Sequence, residues 1–166
     1  MALLRENLSY ELWVDMDGVL TDFDAQLKQM CGIKNGRAFE AKYGKQEFWH
    51  RIDVAGLEFW SDMPWMPDGK QLWSFLKKMN LPIFIITAPA SLIPESMTGK
   101  RMWVSKNLGS YPIYFSQTGK KGKFARKNRI LIDDMMKNID SWKTHGLVIH
   151  HTSTSDTISK LNQIVK

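Results

Sequence analysis

The chain has 166 residues, 43% of them hydrophobic, which is enough to bury a core within one domain and leaves room for a small insert. Its single cysteine, Cys31, excludes an internal disulfide and suits a reducing cytosol, and no stretch reaches the roughly 20 apolar residues of a membrane span. The formal net charge of +6 favours anionic partners, whether nucleotides, phosphate esters or nucleic acid, without choosing among them.

The opening MALLRENLSYELW carries too short an apolar run for a secretory signal, so a soluble, cytoplasmic protein is expected. Leu12, Trp13 and Val14 then read as a buried strand that ends in two carboxylates, Asp15 and Asp17. From Asp22 to Met63 there is no strand pattern, only short helical stretches rich in aromatics: Phe39, Tyr43, Phe48, Trp49, Phe59 and Trp60. This region follows the first strand directly, where a crossover helix belongs, and reads as a small helical cap. Leu72, Phe75, Leu76 and Met79 fall at helical spacing, with Asp68 at the start and Asn80 at the stop. LPIFIIT (81–87) is a second strand, and Ser96 to Gly109 a helix with Gly109 as its stop. YPIYFS (111–116) is a third strand. It is followed by the basic run GKKGKFARKNR, which reads equally as a solvated loop or an anion site. RILIDD (129–134) and GLVIHH (146–151) complete five strands, separated by a helix carrying Ile139 and Trp142. A last helix carries Ile158, Leu161 and Val165, with Ser155 as its cap.

Strands alternating with helices predict an α/β fold: a Rossmann-like, mainly parallel sheet with helices on both faces. The core is expected over 1–22 and 62–166, with the helical cap at 23–61. In such sheets ligands sit beyond the carboxyl ends of the strands. Here those ends carry Asp15 and Asp17, then Thr87, then Asp133 and Asp134. Residues i and i+2 of an extended backbone share a face, so Asp15 and Asp17 can address one ligand. Like charges at the mouth of an apolar strand repel and resist desolvation, and a hard cation such as Mg²⁺ would offset that. A calcium loop of the EF-hand type does not fit. It needs Gly at its sixth position and Glu at its twelfth, whereas here the fourth residue is Gly18 and the twelfth Gln26.

DMDGVLTDF resembles the first motif of the haloacid dehalogenase-like phosphohydrolases, Asp-x-Asp-x-[Thr/Val]. FIITAP resembles their strand ending in Thr or Ser, and LIDD their acidic pair. More narrowly the chain resembles the 5′(3′)-deoxyribonucleotidases. The matching stretches are DMDGVLTDF, the Phe48-Trp49 pair, FWSDMPWMPDG, KRMWV (Lys100–Val104) and LIDD (Leu131–Asp134), together spanning about Trp13 to His150. The resemblance implies a Mg²⁺-dependent phosphatase in which Asp15 attacks phosphorus and forms an aspartyl-phosphate. Asp17 would act as general acid and then base. It further implies Mg²⁺ held by Asp15, Asp134 and the Asp17 carbonyl, with Asp133 a ligand through water or a support. Thr87 and Lys100 would bind the substrate phosphate. Lys100 is expected in the first turn of its helix, where the macrodipole disfavours a cation and a bound phosphate would repair the mismatch. Two departures stand out. Thr-Ser-Pro of the family reads Thr87-Ala88-Pro89 here, and Thr-Arg-x-Lys reads Gln117-Thr118-Gly119-Lys120, which leaves Lys120 as the equivalent lysine.

The same resemblance places Phe23, Phe48, Trp49 and His50 around the nucleobase, where flat aromatic faces stack on a base; for the cap aromatics, forming the core of a tiny domain is the competing role. The expected substrate is a small (deoxy)ribonucleoside 5′-monophosphate. Phosphate groups at nucleic-acid ends, reached through the basic loop 120–129, are the alternative, together with other small phosphate esters. A non-catalytic nucleotide-binding module is disfavoured because Asp15, Asp17, Lys100 and Asp134 are all retained. A homodimer is left open.

Overall fold

The computed structural model describes residues 9–166; the opening segment weighed above as a leader lies outside them. Strand β1 (Glu11–Val14) runs through the centre of a five-stranded sheet. It pairs in parallel with β2 (Ile83–Thr87) through Leu12–Ile83 and Val14–Ile85, and with β4 (Arg129–Asp133) through Leu12–Ile130 and Val14–Ile132. β3 (Ile113–Phe115) flanks β2 and β5 (Leu147–His150) flanks β4, also in parallel, giving the order β3-β2-β1-β4-β5. All five predicted strands form.

The pleat sorts their side chains into two layers. Leu12, Val14, Ile83, Ile85, Ile130 and Ile132 share one cluster with Leu72 and Leu76 of α5 (Gly69–Lys78), Trp103 and Val104 of α6 (Glu95–Asn107) and Leu161 of α8 (Thr154–Ile164). Trp13, Ile86 and Leu131 point the other way, onto Ile139 and Trp142 of α7 (Met136–Trp142). That second layer is thin, because the β3–β4 connection holds only a 3-10 turn at Lys121–Phe124. Aromatic side chains take up the space: Trp13 stacks on Phe84 at 4.8 Å and lies near Tyr114, Phe124 and Trp142. The last helix is capped by Ser153, which accepts from Asp156 N, not by Ser155.

Residues 16–21 form a tight turn in which the amides of Val19, Leu20 and Thr21 all reach the Met16 carbonyl. Beyond it the chain enters four helices: α1 (Phe23–Cys31), α2 (Gly36–Tyr43), α3 (Lys45–Ala55) and α4 (Glu58–Ser61). Asp22 caps α1 through Ala25 N, and Asn35 caps α2 through Ala38 N. The outgoing and returning chains pair antiparallel at Thr21 and Trp65, with Asp22 N bonded to Pro64 O and Met66 N to Leu20 O. The helical insert is thus joined to the sheet by a short two-stranded stem directly beside Asp17. Among the described residues, no helix is long and apolar enough to cross a membrane.

Candidate active site

Three neighbouring strands end at one edge of the sheet and bring their polar residues together. Asp15 follows β1 and keeps its backbone in register through a 3.0 Å bond from its N–H to Ile132 O. Its carboxylate is almost fully buried (5% exposed), and Oδ1 accepts 2.8 Å from Lys121 Nζ. The Lys121 ammonium also donates to Asp133 Oδ2 at 2.7 Å and to the Ile86 carbonyl at 3.0 Å, so all three of its protons are engaged. Burial alone would lower the Lys121 pKa, but the charges of Asp15 and Asp133 raise it above its usual value and keep the side chain cationic.

Asp17 is served by a different lysine. Lys100 Nζ donates to Asp17 Oδ2 at 2.7 Å, to Thr87 Oγ1 at 2.9 Å and to the Ala88 carbonyl at 2.8 Å, while Thr21 Oγ1 holds Asp17 Oδ1 at 2.9 Å. Lys100 is the sixth residue of α6, not part of its first turn, so the macrodipole argument does not apply to it. What keeps this lysine 1% exposed is the set of three acceptors.

Asp133 is fully buried, and both its oxygens are occupied by protein donors: Lys121 and Asn138 on Oδ2, Asn138 and the Met135 N–H on Oδ1. With both oxygens taken it steadies Lys121, which fits the support role, one of the two expected for Asp133, better than that of a ligand. Asp134 is the opposite case, since its Oδ1 is buried with no hydrogen-bond partner among the described residues. His150 Nε2 lies 3.0 Å from the Asp134 carbonyl, and Gly18 (φ +86°) lets the turn press against the Asp134 carboxylate, where a Cβ would lie 2.6 Å from its Cγ. Oxygens of Asp15, Asp133 and Asp134 lie within 4.8 Å of one another. Burial first, and the neighbouring Asp133 charge second, push the Asp134 carboxyl up to about 6. Burial also drives Asp15 well above the usual carboxylate range, against the pull of Lys121. Four carboxylates and two ammonium groups, when ionised, leave two negative charges. A hard-oxygen donor set with one orphaned acceptor and that imbalance suits a divalent cation such as Mg²⁺.

These groups open onto a cleft of about 1410 Å³ between the insert and the strand ends. Asp17, Lys100 and Asp134 line its floor, and Phe23, Phe48, Trp49 and Trp60 line its insert side. His50 does not reach it. Consecutive helical residues are about 100° apart, so Phe48, Trp49 and His50 cannot share a face, and the exposed His50 borders a separate hollow with Asp53 and Leu92. Lys120 is exposed; the lysine at Asp15 is its neighbour Lys121. Aligning Thr-Arg-x-Lys on Thr118 instead of Gln117 would have placed the lysine at 121. Thr21 and Asn138, which hold Asp17 and Asp133, carried no signal of their own. The basic loop is also less free than its composition suggests: Arg126 bonds the Ala125 carbonyl, and Arg129 pairs with Glu11 and covers the Trp13 ring.

The fold is shared with solved structures of haloacid dehalogenase-like hydrolases. No family model matches the sequence, and no curated protein does. Among solved structures, the chain is similar to a HAD-superfamily hydrolase from Ehrlichia chaffeensis at 17% identity and a TM-score of 0.55, covering 94% of this chain and 97% of the other. A predicted phosphatase from Clostridium acetobutylicum matches at 11% identity and a TM-score of 0.58, covering 93% and 99%. A HAD-hydrolase from Bacillus subtilis bound to magnesium matches at 14% identity and a TM-score of 0.54, covering 95% and 98%.

Proposed function

We propose that the protein is a Mg²⁺-dependent phosphoric monoester hydrolase acting on (deoxy)ribonucleoside 5′-monophosphates. The observation that carries the reading is the pairing of Asp15 and Asp17 with separate buried lysines beside the orphaned Asp134 oxygen, at an aromatic-walled cleft whose floor Asp17, Lys100 and Asp134 line. Asp15, Asp134 and the Asp17 carbonyl would hold the metal, which supplies charge neutralisation for the phosphoryl group and for the crowded carboxylates.

The residues of the chain perform the rest. Asp15 attacks phosphorus, the ester bond breaks, and an aspartyl-phosphate remains. The departing alkoxide takes its proton from Asp17, which Thr21 and Lys100 hold at the cleft floor. Asp17 then removes a proton from water, the water oxygen attacks phosphorus, and release of phosphate regenerates Asp15. Lys121 fixes the Asp15 carboxylate, Lys100, steadied by the buried Thr87 hydroxyl, would meet the phosphoryl oxygens at the cleft floor, and Phe23, Phe48 and Trp49 offer surfaces for the base.

One observation favours a second reading, removal of phosphate from nucleic-acid ends: the cleft exceeds the roughly 300–1,000 Å³ of common small-ligand pockets. Phosphate release is to be measured with and without Mg²⁺ from ribo- and deoxyribonucleoside 5′- and 3′-monophosphates and a phosphorylated oligonucleotide. Magnesium-dependent release from mononucleotides, lost in Asp15→Asn, is the expected result. Turnover of the oligonucleotide alone supports the second reading, and full activity of Asp15→Asn removes the covalent mechanism.

A further inference from the structure

Lys100 has a neighbour that hydrogen bonding does not explain. Its ammonium lies 5.6 Å from the ring centroid of Trp60, within the range where the negative face of an indole attracts a cation. Trp60 belongs to α4, the last helix of the insert, whereas Lys100 belongs to α6 of the core. Both side chains are buried, Trp60 at 2% and Lys100 at 1% exposure, so water weakens their attraction little. Two further observations show that the indole is specifically accommodated. Residue 99 is glycine, and a Cβ there would overlap Trp60 Cβ, so α6 is stripped of a side chain where α4 meets it. Trp60 Nε1 is buried with no acceptor among the described residues, a cost that a phenylalanine filling the same space would avoid.

We propose that Trp60 is a positioning residue for Lys100: its indole face holds the ammonium between Asp17 and Thr87, so that the inserted segment contributes to the chemistry of the core and not only to the wall of the cleft. Of the three hydrogen-bond acceptors of Lys100, the Asp17 carboxylate at 2.7 Å comes from the first strand's turn and Thr87 and the Ala88 carbonyl from the end of β2, whereas the indole quadrupole is the one stabilising influence supplied by the insert. Phe23 and Phe59 hold the ring in turn, at 6.2 and 4.9 Å between centroids.

This inference rests on the phosphatase reading, and the test separates the two. Turnover is measured on p-nitrophenyl phosphate, which has no nucleobase, and on a deoxyribonucleoside monophosphate. The enzymes compared are the wild type, Trp60→Phe, Trp60→Leu, Lys100→Met, the Trp60→Leu/Lys100→Met double variant, and a protein with tetrafluoroindole at position 60 alone. Fluorination weakens the quadrupole with little change of shape, so a merely structural role predicts no effect from it. The expected result is a roughly tenfold or greater loss of kcat/KM on both substrates for Trp60→Leu and for the fluorinated protein, with Trp60→Phe retaining an intermediate rate. In the Lys100→Met background, removing Trp60 should add little. Wild-type rates in the fluorinated protein, a loss confined to the nucleotide, or an undiminished Trp60→Leu loss in the Lys100→Met background would each overturn the proposal. The same four-protein cycle read by urea unfolding reports the Trp60–Lys100 coupling without any substrate. Absence of coupling there overturns the inference even if nothing is turned over, whereas coupling in a wild-type protein inactive on every phosphate ester removes the phosphatase reading instead.

Discussion

Replacing Lys121 by methionine removes one charge from a buried cluster while nearly keeping its volume. The ammonium is 1% exposed and bridges Asp15 at 2.8 Å and Asp133 at 2.7 Å, so its loss leaves two carboxylates facing each other away from water. Breaking a buried pair by removing one partner costs about 3–5 kcal/mol. Asn138 and the Met135 N–H still hold Asp133, whereas Asp15 loses its one protein donor, so the deficit falls mainly on Asp15. In a chain of this length each kcal/mol shifts Tm by about 2–4 °C, which places the expected drop at about 6–20 °C. The measurement is thermal and urea unfolding at neutral pH in the presence of a chelator.

The pH dependence gives that prediction a direction. Burial already raises the folded pKa of Asp15 above its unfolded value, so between those two values the native form binds more protons than the unfolded chain. A group with a raised folded pKa contributes stability below its unfolded value and loses it as pH rises through the folded one. Without Lys121 that pKa climbs further, so the Lys121→Met deficit should shrink on acidification. A Tm within about 2 °C of wild type at neutral pH, or a deficit that grows as pH falls, would refute the reasoning. Lys100→Met supplies the contrast. The Asp17 side chain is 30% exposed and can rehydrate, so the stability loss should be the smaller of the two, on the order of 1–2 kcal/mol, although turnover falls at least as far.

Gly18→Ala combines strain at φ +86° with overlap on the Asp134 carboxylate, so Mg²⁺ should raise its Tm less than that of the wild type; an equal rise would dissociate Gly18 from the metal site. His151 is held below its usual pKa by burial, against the charges of Asp68 and Asp156, with Nδ1 2.8 Å from Thr157 Oγ1. Its unfolded form therefore binds the extra proton, and the wild type should lose stability relative to His151→Gln as pH falls through 6.5, seen as converging urea midpoints. Phe23→Ala should weaken nucleotides about 10- to 100-fold, as expected for roughly 1–3 kcal/mol of base stacking, and leave p-nitrophenyl phosphate nearly unchanged; equal losses on both would make Phe23 a packing residue.

The sheet was legible because each strand is a short, largely apolar run bounded by turn chemistry or charge, and the site followed from it: β2, β1 and β4 are neighbours, so Thr87, Asp15 and Asp133 had to meet. The errors lie where several residues of one type compete within a few positions. Thr152, Ser153, Thr154 and Ser155 all offer hydroxyls, and only the spacing Ser153 to Asp156, with the acidic residue three places on, marks the true cap. Lys120 and Lys121 are adjacent at the start of a 3-10 turn, and which of them points inward depends on a contact across more than a hundred residues to Asp15. The role of Asp133 was hidden for a related reason. An acidic pair at a strand end reads the same whether both members face a ligand or one is tied down, and the difference is made by Asn138 and Lys121, whose side chains fill its oxygens. Local pattern therefore places charges at the mouth of the sheet, while long-range packing assigns each its task. That division explains why two lysines are buried at one site: Lys121 is shared by Asp15 and Asp133 in the dry interior, and Lys100 serves Asp17 at the edge of the cleft.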